Sequence, residues 1–123
     1  QEHLTAMIAS QLEDLEVTPS NQLHSLPDGE QVRIGGLLVA AQRPPTANGV
    51  AFLAIEDVYG MTNVVLMPPI YQASRKALRS SFIMVEGDLQ LTNGAVHVLA
   101  HRVSALYCDL PALQRHTSRI MWK

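Results

Sequence analysis

Two apolar runs separated by a polar loop dominate the middle of the chain. Apolar residues prevail over 32–39, and a second apolar run follows over 50–55. The first run ends at Pro44, because proline has no backbone N–H to donate to a neighbouring strand. Asn48 and Gly49 favour a turn before the second run begins. The pattern therefore predicts a long first strand, a loop that contains the prolines, and a returning second strand.

The rest of the pattern predicts three further strands and a helix. A tight turn over 58–60 leads into a third strand over 61–66, and a helix begins at Pro68, since proline is tolerated in the first helical turn. Arg75, Lys76 and Arg79 fall on its water-facing side. The fourth and fifth strands, over 82–91 and 95–103, are joined by a hairpin turn at Asn93-Gly94. Gly35-Gly36 inside the first strand predicts a bulge or sharp bend.

The two ends of the chain show weaker patterns. Apolar residues at three- and four-residue steps predict an amphipathic helix over 2–15, and Ser20 is a candidate cap for a short helical turn. We expect an N-terminal helical segment at 1–26, a barrel at 27–107 and a C-terminal tail at 108–123.

Five strands with a helix after the third predict an all-β protein, a five-stranded Greek-key barrel of the OB type. In such barrels the surface of strands 2 and 3, with the loops beside it, holds single-stranded nucleic acid. The pattern thus predicts a fold and, with it, a surface on which to look for a site.

A family resemblance is carried by QRPPTANGVAFLAIEDVYGMTNVVL, residues 42–66. This segment resembles the OB domain near the C-terminus of bacterial C-family DNA polymerase alpha subunits, with the error-prone branch the most similar. The resemblance extends over about 26–106. It implies a non-catalytic domain of a DNA-directed DNA polymerase, whose metal-binding aspartates lie elsewhere in the family's chain. Since the sequence begins with Gln1, we expect it to be a piece of a longer protein.

Composition argues for weak binding. The formal net charge is −2 and aromatic residues make up 5% of the chain, whereas nucleic-acid binders usually carry a basic surface and aromatic platforms. Apolar residues at 47% indicate a globular domain. No apolar run approaches the ~20 residues needed to span a membrane. The single cysteine, Cys108, excludes an internal disulfide and fits a reducing cytoplasm.

Arg43 and Phe52 are the most informative candidate contacts. Arg43 follows the first strand, and it is expected either to contact a phosphate or a base, or to form a salt bridge with Glu56 or Asp57. Phe52 is either an exposed stacking platform or a core residue. Glu56 and Asp57 are adjacent on a strand and point to opposite faces, so they form no catalytic dyad.

The remaining candidates are polar side chains on strands and turns. Asn48 and Asn63 can supply hydrogen bonds or serve turns and strand ends. His97 and His101 share a strand face by even spacing. With one cysteine they fall short of a zinc site, and we expect no metal and no cofactor. The predicted nucleic-acid contacts are Gln42, Arg43, Asn48, Phe52, Asn63, His97, His101 and Arg102.

These observations predict weak binding of single-stranded template DNA without strong sequence preference. The expected partners are that DNA and the rest of the polymerase chain or its accessory subunits. Two alternatives stay open: a protein-interaction OB domain that docks a polymerase or accessory subunit, and a tRNA anticodon-binding barrel like that of class II synthetases. We expect no catalytic residue, no small-molecule substrate and no membrane.

Overall fold

The computed structural model describes residues 12–106. Its strands are β1 (Gln31–Gln42), β2 (Ala51–Asp57), β3 (Gly60–Leu66), β4 (Phe82–Thr92) and β5 (Ala95–Leu106). Helix α1 (Pro68–Ser74) follows β3, and short 3-10 helices occupy Ser20–Ser25, Pro45–Ala47 and Ala77–Arg79. Of the helix predicted over 2–15, residues 12–15 are described; 12–14 are helical and Leu15 lies in a turn. The predicted tail at 108–123 lies outside the described residues.

The five strands close into a barrel in the order β1-β2-β3-β5-β4. All neighbouring strands are antiparallel except β3 and β5, which run parallel. The turn between β4 and β5 forms at Asn93 and Gly94, with φ values of 51° and 81° that an L-residue rarely adopts but Asn and Gly tolerate. The predicted OB barrel, with its helix between the third and fourth strands, is confirmed.

Strand β1 pairs with two neighbouring strands, β4 and β2. Its first half pairs with β4 and its second half with β2, and the change occurs at Leu37. At Gly36 the chains come so close that a Cβ atom would lie 2.2 Å from the carbonyl oxygen of Glu56. The bulge itself comes later, between Leu38 and Ala40. The predicted distortion of β1 is therefore present, but the glycine provides close approach while the following residues provide the bulge.

The barrel interior is filled by aliphatic side chains and closed at both ends. Leu78, after α1, and Leu23, in the first 3-10 helix, are 4% and 1% exposed and belong to the interior cluster. On β4, Val85 and Leu89 are fully buried in the interior cluster. The predicted boundary at residue 26 stays a prediction, and Leu23 on its N-terminal side packs with the barrel.

A second apolar cluster lies on the outside of the barrel. Leu37, Phe82 and Leu106 are paired neighbours on β1, β4 and β5, and all three are buried. Leu12 packs on them, with Leu15 and Val17 beside it. Residues 12–17 therefore cover this flank, which excludes it as an open binding surface.

Asp57 joins the turn after β2 to the segment before β1. Its carboxylate accepts hydrogen bonds from the Ser20 N–H (2.8 Å) and the Ser20 hydroxyl (2.6 Å), and from the N–H groups of Tyr59 (2.9 Å) and Gly60 (3.0 Å). The cap predicted for Ser20 is wrong, because its 3-10 helix has Pro19 as N-cap and no side-chain cap. Ser20 bonds a distant carboxylate instead.

Candidate nucleic-acid interface

The outer surface of β1, β2, β3 and β5 forms one continuous face, which we call the β2–β3 face. Strand pairing aligns two rows across it. One row runs Gln42, Phe52, Val65 and Leu99, and the other runs Ala40, Ala54, Asn63 and His97. None of these eight side chains is an acid. These two rows thus offer apolar area, amides and one imidazole, while the carboxylate of Glu56 lies further along β2, in the row that pairs with Met61.

Phe52 projects from the middle of this face. It is 40% exposed, while its neighbours Ala51 and Leu53 point into the barrel and are buried. The core alternative for Phe52 is therefore wrong, and the reason is the regular alternation of β2. An aromatic ring held by a strand, with one side open, has the geometry of a stacking platform for a base.

Arg43 lies at the end of the first row, one residue beyond Gln42. Its guanidinium carbon sits 4.4 Å from the centre of the Tyr71 ring, a cation–π contact. The predicted salt bridge to Glu56 or Asp57 is wrong. Gln42 pairs with Phe52, at the opposite end of β2 from those carboxylates. Within residues 12–106 the ion pairs are Arg33–Glu86 and His101–Asp88, and Arg43 is in neither.

The loop between β1 and β2 lies beside the start of α1. Asn48 is exposed at the end of its 3-10 helix in the left-handed conformation, with φ 53°, so it has a turn role there. Gly49 approaches Pro68 so closely that a Cβ would be 3.3 Å from the proline ring. Asn48 therefore stands at the edge of the β2–β3 face rather than on it.

The structure divides the predicted contacts of β5 into two groups. His97 is directly paired with Asn63, so it lies on the β2–β3 face. His101 and Arg102 come after a register shift in β5, where Arg102 pairs with Glu86 on β4. His101 Nε2 lies 2.8 Å from an Asp88 carboxylate oxygen. The shift interrupts the regular alternation from which a shared face for His97 and His101 was predicted. His101 and Arg102 lie beyond the part of β5 that pairs with β3, and their role in binding stays a prediction.

Sequence reasoning missed Tyr71 and the cations beside it. Tyr71 on α1 is half-buried, and its ring also contacts the Arg43 guanidinium. The predicted exposure of Arg75, Lys76 and Arg79 is confirmed. A signal was available: residues 58–85 contain three cations and no acid. That segment is basic although the whole chain is not.

The described residues contain no group of three or more His, Cys, Asp or Glu side chains suited to hold a metal. Between residues 12 and 106 there is also no helix with the length and apolar character to cross a membrane.

The closed five-stranded barrel with its exposed β2–β3 face defines a domain of the OB type. Comparison with known proteins then shows which proteins this domain resembles in sequence. The chain is similar to error-prone DNA polymerases: 37% identical over 99 residues in Caulobacter vibrioides (80% of this chain, 9% of that protein) and 38% over 105 residues in Pseudomonas paraeruginosa (85% and 10%). The error-prone DNA polymerase of Mycobacterium tuberculosis is 34% identical over 112 residues, which are 90% of this chain and 10% of that protein. The resemblance seen in the sequence is confirmed, and the chain spans about a tenth of the length of these relatives.

Solved structures support the fold. Asparaginyl-tRNA synthetase from Pyrococcus horikoshii superposes with a TM-score of 0.62 and 20% identity, over 85% of this chain and 26% of that one. The hypothetical protein ygiW from E. coli superposes with a TM-score of 0.55 and 17% identity, over 73% of this chain and 89% of that one. At these identities the likeness concerns the barrel alone. No protein-family model matches the chain.

Proposed function

We propose that the chain is the nucleic-acid-binding OB domain of an error-prone DNA polymerase, and that it holds single-stranded template DNA on the β2–β3 face. The observation that carries the proposal is Phe52, 40% exposed in an uncharged row that ends beside Arg43. The similarity to polymerases supplies the parent protein. The domain is non-catalytic and acts in the cytoplasm, where the parent's other parts perform the chemistry.

Each part of the face has a task in this proposal. A base stacks on Phe52, while the half-buried Val65 and Leu99 in the same row provide apolar contact. Asn63 and His97, paired on the neighbouring row, offer hydrogen bonds to base edges. Arg43 contacts a phosphate at the end of the row. Stacking accepts every base, so the domain binds without strong sequence preference.

The test is a fluorescence anisotropy titration of the isolated chain with labelled oligo-dT at low salt. We expect a dissociation constant in the ~10⁻⁴ to 10⁻⁶ M range of non-specific binders. Phe52→Ala should weaken binding by about 1–3 kcal/mol, the usual contribution of one stacked base. Because the ring is exposed, the variant should fold like the parent.

Tyr59→Ala is the matched control. Tyr59 is an aromatic residue that is 60% exposed, but it lies in the turn between β2 and β3, away from Phe52. We expect its loss to leave oligo-dT affinity within about twofold. Equal losses in the two variants, or none in Phe52→Ala, would contradict the proposed face.

A second candidate function is protein interaction. Val58, Tyr59 and Met61 are 46%, 60% and 62% exposed at the turn between β2 and β3, an apolar group that a partner subunit could cover. If this alternative holds, oligo-dT does not bind and Tyr59→Ala weakens association with the remainder of the polymerase chain. The tRNA alternative is tested in the same titration, since it requires an anticodon stem-loop RNA to bind more tightly than oligo-dT.

A further inference from the structure

The charges of the barrel are segregated between its ends. Residues 12–106 contain six arginines and lysines, and four of them, Arg43, Arg75, Lys76 and Arg79, belong to the end formed by the β1–β2 loop and α1. No acid occurs in 42–51 or 66–81, which contain the β1–β2 loop and α1 that build this end. Asp57, with Glu56 beside it, lies at the turn of the opposite end. A net charge of −2 therefore conceals a basic end.

A groove crosses this basic end. It has a volume of about 470 Å³ and is lined by Tyr71, Arg75, Lys76, Leu78 and Arg79. The three cations are exposed, and the buried Leu78 forms part of the floor. We call this feature the basic groove. Cations along a shallow groove suit a chain of phosphates, because each can neutralise one charge while remaining hydrated.

The basic groove is connected to the β2–β3 face through Arg43. Arg43 follows Gln42, the partner of Phe52, and its guanidinium lies 4.4 Å from the centre of the Tyr71 ring. Tyr71 lines the groove, and Arg75 lies one helical turn further along. Phe52, Arg43, Tyr71 and Arg75 thus mark a continuous path from the face to the groove.

We propose that the basic groove is a second contact site, which binds the phosphodiester backbone of the same single strand after it leaves the β2–β3 face. This inference rests on the proposed function for the identity of the ligand. It assigns a binding role to Arg75, Lys76 and Arg79, which the face alone does not use. A short oligonucleotide occupies the face, and a longer one also reaches the groove.

The experiment compares oligo-dT of about 6 and about 15 nucleotides, near the ends of the ~4–16 nucleotide range of a single OB fold. The variant is Arg75→Gln with Lys76→Gln and Arg79→Gln, which keeps good helix formers at exposed positions. We expect its affinity for the short oligonucleotide to stay within about twofold of the parent. For the long one, three lost contacts at roughly 0.7 unit each should reduce the salt slope by about 2. When salt is raised from 50 to 200 mM, both proteins should lose affinity for the long oligonucleotide. The factor by which the variant loses affinity should be about 20 times smaller than the factor for the parent.

A charge-matched control separates local contacts from net charge. Asn21→Asp, Gln22→Glu and Gln31→Glu make the same change in charge on exposed positions at the other end of the barrel. We expect this variant to keep the parent's salt slope. The inference is overturned if the two triple variants behave alike, or if the groove variant loses as much affinity for the short oligonucleotide as for the long one.

The design also separates this inference from the proposed function. If Phe52→Ala leaves affinity for the short oligonucleotide unchanged, the proposed binding role of the β2–β3 face is refuted. The length-dependent loss of affinity in the groove variant then still tests whether the basic groove binds the strand. If Phe52→Ala weakens both lengths and the groove variant weakens neither, the face stands and the groove inference is overturned.

Discussion

Replacing Arg43 tests how the loop, the helix and the ligand are linked. The guanidinium lies 4.4 Å from the centre of the Tyr71 ring, and the side chain is exposed. Exposed cation–π contacts contribute about 0.5–1 kcal/mol. Arg43→Ala should therefore lower the free energy of unfolding by about that amount. For a domain of this size, about 4–8 °C per kcal/mol converts the loss into a fall in Tm of roughly 2–8 °C.

The same variant has a separate effect on DNA binding. A lost phosphate contact weakens binding about equally for all base compositions and, on a single strand, reduces the salt slope by roughly 0.7 unit. Anisotropy titrations with oligo-dT and oligo-dC over a range of salt measure both quantities. Arg43→Lys is the matched variant, because it keeps the positive charge but lacks the planar group that stacks on an aromatic ring. It should keep most of the salt slope while losing most of the stability contribution.

A double-mutant cycle assigns the stability effect to the contact itself. Urea unfolding of Arg43→Ala, Tyr71→Leu and the double variant should give a coupling energy of about 0.5–1 kcal/mol. A coupling energy near zero would refute the reasoning about stability. An unchanged salt slope in Arg43→Ala, with affinity for oligo-dT preserved, would refute the phosphate contact.

Two further predictions concern the barrel. Gly36→Ala should lower the free energy of unfolding in urea by about 3 kcal/mol, the upper end of overpacking costs. The reason is that the new methyl would lie 2.2 Å from the Glu56 carbonyl oxygen in a paired strand. A loss under ~1 kcal/mol would show that β2 can shift away from the methyl at little cost. Asp57→Ala should cost about 2–3 kcal/mol, since its carboxylate accepts four hydrogen bonds. Ser20→Ala, which removes one of them, should cost less, and equal losses would contradict this account.

The strands were predictable because their signals are local. Alternation within β2, proline after β1 and Asn93-Gly94 before β5 each act over a few neighbouring residues, so the barrel followed from the sequence. Leu37 and Leu38 show the limit of the same rule. Both are buried, but one lies in the outer cluster and the other in the interior. A strand that is covered on both sides has a continuous run of apolar residues. Such a run does not show which residues point into the barrel interior and which point to the outer cluster.

The contacts of the candidate site were harder to predict because they join distant segments. Arg43 rests on Tyr71 only because the β1–β2 loop packs beside the start of α1. A register shift in β5 places Arg102 opposite Glu86 and leaves it exposed, although strict alternation from the buried Val98 and Ala100 would point it inward. The basic character of 58–85 was visible in the sequence, but Arg43 joins those cations only in the folded barrel, through its contact with Tyr71. Spacing along the chain carries little of this information.

The alternation of β2 and β3 has a consequence for how this domain can change during evolution. Leu53, Ile55 and Val64 fill the interior, whereas Phe52 and Asn63 point outward and are exposed. Substitutions at the outward positions leave the interior packing untouched, so new ligand preferences can accumulate there with little loss of stability. The same barrel can therefore carry different recognition side chains at its outward positions, while its inward positions accept only side chains that fit the closely packed interior.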